Sequence, residues 1–407
     1  MGLMKLGRNE KEIQPDKTID FTTYNFNNQK NEPISNITNI SDVNKQDIED
    51  LTNVGISINE EDEQGLFLLY GDENILIPPK IKGIEIKPIY QVLKKQPNIR
   101  EKYFFNAVKK DLDKFTLAVS ETIPRGYFIH VKKNVKIETP IQTAFFMNRE
   151  MNAMCPHNIV ILEEGAQIHL LTGCTASCFL KGGLHIAISE HYVGKNATLI
   201  NTMIHNWRLQ FKVFPKTGSI VEEGGSYNSY YYSLKPPKYI EMDPYTYLIG
   251  KKSNAKHMTV IITFPETYSK IGGRIFLKGE SSKSEIIMRT INHGGTAIQS
   301  GLITGEAKDT RAHVDCSGLM FSDSGIIEAI PQLCAMHPEA IMTHEAAIGK
   351  INPGEVNYLQ SKGLTETQAI SLIVQGFIDV DIANGKLSPA LKKVFRDIAE
   401  FSNKSNM

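Results

Sequence analysis

A short stretch of the chain collects soft and borderline ligands: His313, Cys316, Cys334, His337, His344 and Glu345. Thiolate, imidazole and carboxylate together form the mixture that holds iron or zinc. A second group, Cys174, Cys178, His205 and Trp207, lies earlier, and Trp207 is the only tryptophan. Each of these residues also has an ordinary packing explanation, since an unpaired cysteine behaves as a small apolar side chain and a single tryptophan as a core aromatic. Spacing removes several familiar sites. There is no GxxxxGK followed by Ser or Thr, so the chain lacks a phosphate-binding loop of its own. His344-Glu345-Ala346-Ala347-Ile348 opens like a zincin helix but places Ile348 where the second histidine belongs. No CxxC pair and no GxSxG elbow occur. Five cysteines, with Cys174 and Cys178 the one close pair, do not make a disulfide framework, and reduced thiols are expected.

The elements that must position these groups read as short strands. From about Thr116 each alternating run follows a turn carrying a small residue: KNVKIE at Asn134, EGAQIHL at Gly165 and KNATLI at Asn196, spaced 31 residues apart. Further marks at less regular intervals are read at Gly218, Asn254, Ser284, Ala307 and Gly325. Gly and Asn tolerate positive φ at a corner, and the alternation after them sends one set of side chains inward. A strand-and-turn unit recurring every ~20–30 residues predicts a parallel β-helix whose coils each bury a face on the next. A β-sandwich would use similar strands and remains open from the pattern alone.

Around this core the grammar differs. Residues 1–64 are polar and Asn-rich and predict a mobile arm with one helix around Ser41–Leu51. Leu66–Leu69 reads as a buried strand and Pro88–Lys109 as helix interrupted at Pro97, making a small α/β cap over 65–115. The β-helix is placed at 116–340. After Glu345 the strands are expected to stop. Helices are expected from Asn352-Pro353 to about Lys362, from the Thr365/Gln368 capping box onward, and over Ala390–Phe401, giving a helical domain at 341–407.

The chain has 407 residues, with 45 Lys and Arg balancing 45 Asp and Glu. Zero formal charge removes the long-range pull on phosphate that drives non-specific nucleic-acid binding. The most apolar run, Ala369–Ile378, is far short of the ~18–20 residues a membrane span needs. Nothing in the opening segment reads as an export or myristoylation signal, and a cytoplasmic location is expected. A carbohydrate-cleaving β-helix would need paired acids on an outer sheet, and no convincing Asp pair stands out.

With these residues in view, the chain resembles the SufB/SufD family of iron–sulfur cluster assembly proteins. The likeness rests on Gly173-Cys174-Thr175-Ala176, Leu184-His185, His205-Asn206-Trp207, Cys316, His344-Glu345-Ala346 and Gly349-Lys350-Ile351. It is closest in the tail, at Gly363-Leu364-Thr365-Glu366 and Leu372-Ile373-Val374-Gln375-Gly376-Phe377. The resemblance implies a right-handed parallel β-helix flanked by N- and C-terminal helical parts, which agrees with the repeats. It implies a scaffold for nascent iron–sulfur clusters, not itself an enzyme, that meets a second copy through its last coils. It also implies that the C-terminal helices dock a SufC-type ABC ATPase, and that clusters pass to apo-proteins or a carrier.

Residue by residue, Cys316, Glu345 and His344 match the family's cluster-building cysteine, acid and histidine. Iron and sulfide would be joined there in a transient cluster of the 4Fe-4S kind. Cys174 matches a sulfur-accepting cysteine, and Trp207 and Lys216 match residues lining an internal tunnel. The chain departs from the tunnel pattern at Phe146, where the family has Arg, and at His205, where it has Gln, although Asn148 is kept. Cys178 and Cys334 have no family counterpart and are expected to be core thiols. The possession of Cys316, Glu345 and His344 together is SufB-like. The other family reading is a SufD-like adaptor that organises the ATPase without holding a cluster.

Overall fold

Corner residues with positive φ set the repeat in the computed structural model, which describes residues 19–26, 43–58 and 65–378. Asn134, Gly165 and Asn196 adopt φ of 59°, 70° and 54°, and Gly224, Lys252, Ser281 and Asp309 continue the series at 64°, 55°, 59° and 52°. The intervals are 31, 31, 28, 28, 29 and 28 residues. The later repeat is therefore regular, and Gly218 is no corner: it lies inside the strand Lys216–Val221. The corners stack. The amide of Asn134 donates to Glu164, that of Gly165 to Lys195, that of Asn196 to Glu223, and that of Gly224 to Lys251. A Cβ on Gly165 would meet Asn134 Oδ1 at 2.3 Å, and one on Gly224 would meet Asn196 Oδ1 at 2.2 Å. Asn and Gly thus alternate because the amide of one coil fills the space over the glycine of the next.

Between corners the strands pair in parallel, coil upon coil, to give a mainly β solenoid of about 8 turns. One sheet has ten strands in the described residues and the other thirteen. The first coils are closed by antiparallel partners: Leu66–Tyr70 pairs with Glu73–Ile77, and Tyr127–Val131 with Ile84–Pro88. The interior is a continuous apolar column from Phe67 through Leu170, Trp207 and Ile271 to Val314 and Cys316.

The outer face of the ten-stranded sheet is apolar too, and it is covered at both ends. At the start, Leu51, Val54 and Ile56 pack on Ala144, Phe146, Leu171 and Ile204. Gly173 makes this possible, since a Cβ there would lie 2.6 Å from Val54 Cγ2 and 2.7 Å from Ile56 Cγ1. Where the sequence predicts a mobile arm, the stretches 19–26 and 43–58 are thus packed on the solenoid, and Ile19 and Tyr24 join Phe115 and Phe214 in a further cluster. At the other end, Val374 and Ile378 of the helix Glu366–Ile378 pack on the same sheet face as Met258, Val260 and Ile287.

The helices follow local signals. Pro97 opens the helix Pro97–Tyr103 at its first turn and so divides it from Ile89–Lys95. The residues beyond are held by one carboxylate: Glu190, with no exposed surface, accepts from the amides of Phe105, Asn106, Ala107 and Val108 and from His157 Nε2 at 2.7 Å. The strands run past Glu345, to Gly349. Asn352 caps the helix Pro353–Ser361, Gly363 ends it at φ 98°, and Thr365 and Gln368 exchange the capping-box bonds. The expected helix Ala390–Phe401 lies outside the described residues.

Candidate functional site

Two places in the solenoid gather the predicted groups. The first is inside. Cys174 on the strand Gln167–Ala176 stands directly beside His205 on Thr198–Asn206, while His185 reaches them from Gly183–His185 in the opposite sheet. One sulfur or nitrogen atom from each lies within 4.8 Å of the others, and all three residues are fully buried. Trp207 covers the group, its ring 5.0 Å from His185 and 5.8 Å from His205.

His205 Nδ1 is 2.8 Å from the Tyr231 hydroxyl, whereas His205 Nε2, both nitrogens of His185 and Trp207 Nε1 have no hydrogen-bond partner among the described residues. Burial pushes His185 down to about 3, carries His205 well below 6.5 and raises the Cys174 thiol. All three groups are therefore neutral at neutral pH: two imidazoles with lone pairs and one thiol. Cys174 and His205 were singled out by sequence, but His185 was not read as a possible ligand. The 31-residue separation of Cys174 and His205 equals the corner interval and so places them in register. His185 comes from the facing sheet, where coil spacing gives no such signal.

The second place is the last coil. Cys316, on Arg311–Met320, has Met288 before it and Ala346 after it in register and faces the apolar column. Desolvation pushes its thiol up to about 11, with the neighbouring Asp315 charge adding to the rise. His344 is in register with Val314 and so shares the inward face, where no further coil among the described residues covers it. Glu345 is in register with Asp315, on the opposite face of the pleat, and its carboxylate lies 4.0 Å from His313 Nε2. One chain therefore does not bring Cys316 and Glu345 together, because neighbours along a strand point to opposite faces. Beside them on the outer face, Arg289 pairs with Asp315 and lies over the ring of Phe377 at 5.5 Å. Sequence reading missed this link between the last strands and the C-terminal helix. Both side chains are buried, and breaking a buried pair by removing one partner costs about 3–5 kcal/mol.

The last coil also ends the solenoid without a lid among the described residues. Ile326–Ala335 pairs only with Thr296–Gly305, and Ile341–Gly349 only with Arg311–Met320. Ile326, Ile330, Met336, Ile341 and Ile348 are exposed there.

The remaining predicted residues scatter. Lys216 does not join Cys174 and Trp207; its ammonium is 2.6 Å from Asp113, which also caps the helix Lys114–Ser120. Cys178 is half-buried. Cys334, expected in the core, is exposed, because its strand is the uncovered edge. Cys155, which sequence reading passed over, is buried with its thiol pushed up to about 12.

Comparison with known proteins fits this architecture. A family model described as "SUF system FeS cluster assembly, SufBD core domain" matches residues 145–377. An iron–sulfur cluster assembly SufBD family protein of Archaeoglobus fulgidus is 37% identical over 358 residues, covering 88% of this chain and 95% of the relative. Its namesake in Methanothermobacter thermautotrophicus is 33% identical over 373 residues, 90% of each chain. One from Pyrococcus horikoshii is 31% identical over 299 residues, 73% of this chain and 67% of the relative. A parallel solenoid carrying Cys174, Cys316 and Glu345 in its coils, matched along most of its length by these relatives, belongs to the SufBD family of iron–sulfur cluster assembly proteins.

Proposed function

We propose that this chain is a scaffold on which nascent iron–sulfur clusters are built, acting as a homodimer with SufC-type ABC ATPase subunits on its C-terminal helices. The cluster is cargo: iron and sulfide meet at Cys316, Glu345 and His344 and leave as a transient cluster, of the 4Fe-4S kind, for apo-proteins or a carrier. The observation that carries the reading is the uncovered last coil. Among the described residues, two edge strands there offer unpaired backbone groups and five exposed apolar side chains, which a second copy can cover by pairing edge to edge. His344 and Glu345 stand on that coil, and Cys316 lies one strand beneath.

Cys316 and Glu345 point to opposite faces, so site assembly needs the last strand to shift. The Arg289–Phe377 contact gives an ATPase docked on the helix Glu366–Ile378 a mechanical handle on that region. Ligation by thiolate, imidazole and carboxylate suits a cluster that must be released. Cys174 serves as sulfur acceptor beside Trp207, while Lys216, paired with Asp113, belongs to the wall rather than the cluster of buried groups.

The burial of Cys316 favours a second reading, a SufD-like adaptor that organises the ATPase and holds no cluster. Anaerobic reconstitution with iron and sulfide, with and without the ATPase, separates the two. The scaffold reading expects a visible chromophore that Cys316→Ala and Glu345→Ala each abolish. No chromophore in the wild type with its ATPase leaves the adaptor, and an unchanged chromophore in both variants puts the cluster away from Cys316 and Glu345 and overturns that site.

A further inference from the structure

We propose that Cys174, His185 and His205 form a binding site for a single divalent transition-metal ion inside the solenoid, separate from the cluster-building residues of the last coil. The inference goes beyond the scaffold reading and does not depend on it; the two meet only at Cys174, which accepts sulfur when no ion holds its thiolate. Its basis is the juxtaposition already described: three ligand atoms within 4.8 Å of one another, contributed by both sheets, with no exposed surface.

Unsatisfied buried nitrogens are the second observation. Both ring nitrogens of His185 and Nε2 of His205 lack a partner. Leaving such groups dry and unpaired costs about 1–3 kcal/mol apiece, and one ion would satisfy two of the three, one nitrogen from each ring. Ligand atoms around one tetrahedral ion at about 2.0–2.3 Å stand about 3.3–3.8 Å apart, so closing from the present separation needs a shift of about 1 Å.

The donor set selects the ion. One thiolate and two imidazoles suit borderline first-row ions, iron(II), cobalt(II) or zinc(II), and not magnesium or calcium, which take oxygen. On binding, Cys174 gives its thiol proton to solvent and the sulfur lone pair to the metal, leaving a site of net charge +1. The Tyr231 hydroxyl at His205 Nδ1 fixes the imidazole with Nε2 toward its ligand, making Tyr231 a positioning residue. Trp207 Nε1–H, a donor with no partner, suits an anionic fourth ligand such as hydroxide or hydrosulfide. Tyr231 also lines a narrow recess with Met203, Pro215, Thr217 and His257, so its ring stands between the site and that recess.

The test uses the full chain, stripped with chelator and titrated anaerobically with cobalt(II). One equivalent should give a thiolate-to-cobalt charge-transfer band in the near ultraviolet and intense visible bands of tetrahedral cobalt. Cys174→Ala should lose the charge-transfer band. Tyr231→Phe should keep it with affinity reduced roughly 10- to 100-fold, and His205→Gln, which removes a ligand, should keep it with a larger loss of affinity. Cys316→Ala should bind cobalt like wild type while failing cluster reconstitution, so the two readings fail separately. X-ray absorption of the zinc-loaded wild type needs no variant and should show one sulfur and two imidazole neighbours. A folded wild type without the bands, an oxygen-only shell, or a band lost in Cys316→Ala but kept in Cys174→Ala would overturn the site.

Discussion

At the scale of residues, the solenoid keeps histidines neutral inside it. His191 lies 3.0 Å from the Tyr227 hydroxyl and His257 2.9 Å from Thr246 Oγ1; burial pushes them to about 3 and about 4. In the unfolded chain both titrate near 6.5, so below that pH the unfolded state binds more protons than the folded one. Their contribution to stability is complete above pH 6.5 and is lost as the pH falls toward 4. Each should remove about 2 kcal/mol between pH 7 and pH 5. Urea unfolding at the two pH values measures this, and the double variant His191→Gln/His257→Gln should show a fall smaller by about 4 kcal/mol. An equal fall in wild type and variant would mean these side chains are not held neutral in the fold.

The same scale explains what could be read of the site. Residue type and order were enough to nominate Cys174, Cys316, His344 and Glu345, but not to say which of them meet. His344 and Glu345 are adjacent in sequence and on opposite faces in space, because a pleated strand separates neighbours. His185 and Cys174 are eleven positions apart and close in space, because the chain crosses from one sheet to the other between them.

At the scale of elements, the corners at Asn134, Gly165 and Asn196 were legible, Gly224 was passed over for Gly218, and those at Lys252, Ser281 and Asp309 were obscure. Lys and Ser carry little preference for positive φ, so the regular 28-residue coils looked irregular. The packed stretches of the N-terminal arm were hidden for another reason. Leu51, Val54 and Ile56 are few among polar neighbours, yet they dock because the sheet face beneath them is apolar and Gly173 leaves room. Gly173→Val should therefore expel residues 54–56. We expect about 1–3 kcal/mol of destabilisation and faster amide exchange over 43–58, with the exchange of later coils unaltered. Exchange in 43–58 equal to that of wild type would show that the segment docks without needing this gap.

At the scale of the whole molecule, the two ends of the solenoid are unlike. Antiparallel strands close the first coils, whereas the last presents two open edges with Ile330 and Ile341 exposed. Lysine is a common edge protector because its charge resists being covered. Ile330→Lys with Ile341→Lys should convert a dimer to monomers, read as a halved mass by light scattering on a size-exclusion column. A variant that keeps the wild-type mass would place any self-association elsewhere.

The stacked corners have a mechanical corollary. Each coil is fastened to the next by its own backbone bonds and one corner bond, so once the docked segments 43–58, 105–108 and 366–378 are stripped away, only these local bonds oppose tension along the axis. Pulled from its ends, the chain should pay out one turn at a time, in steps of roughly 100 Å for roughly 30 extended residues. Such a body yields by uncoiling at its margin and keeps the remainder intact.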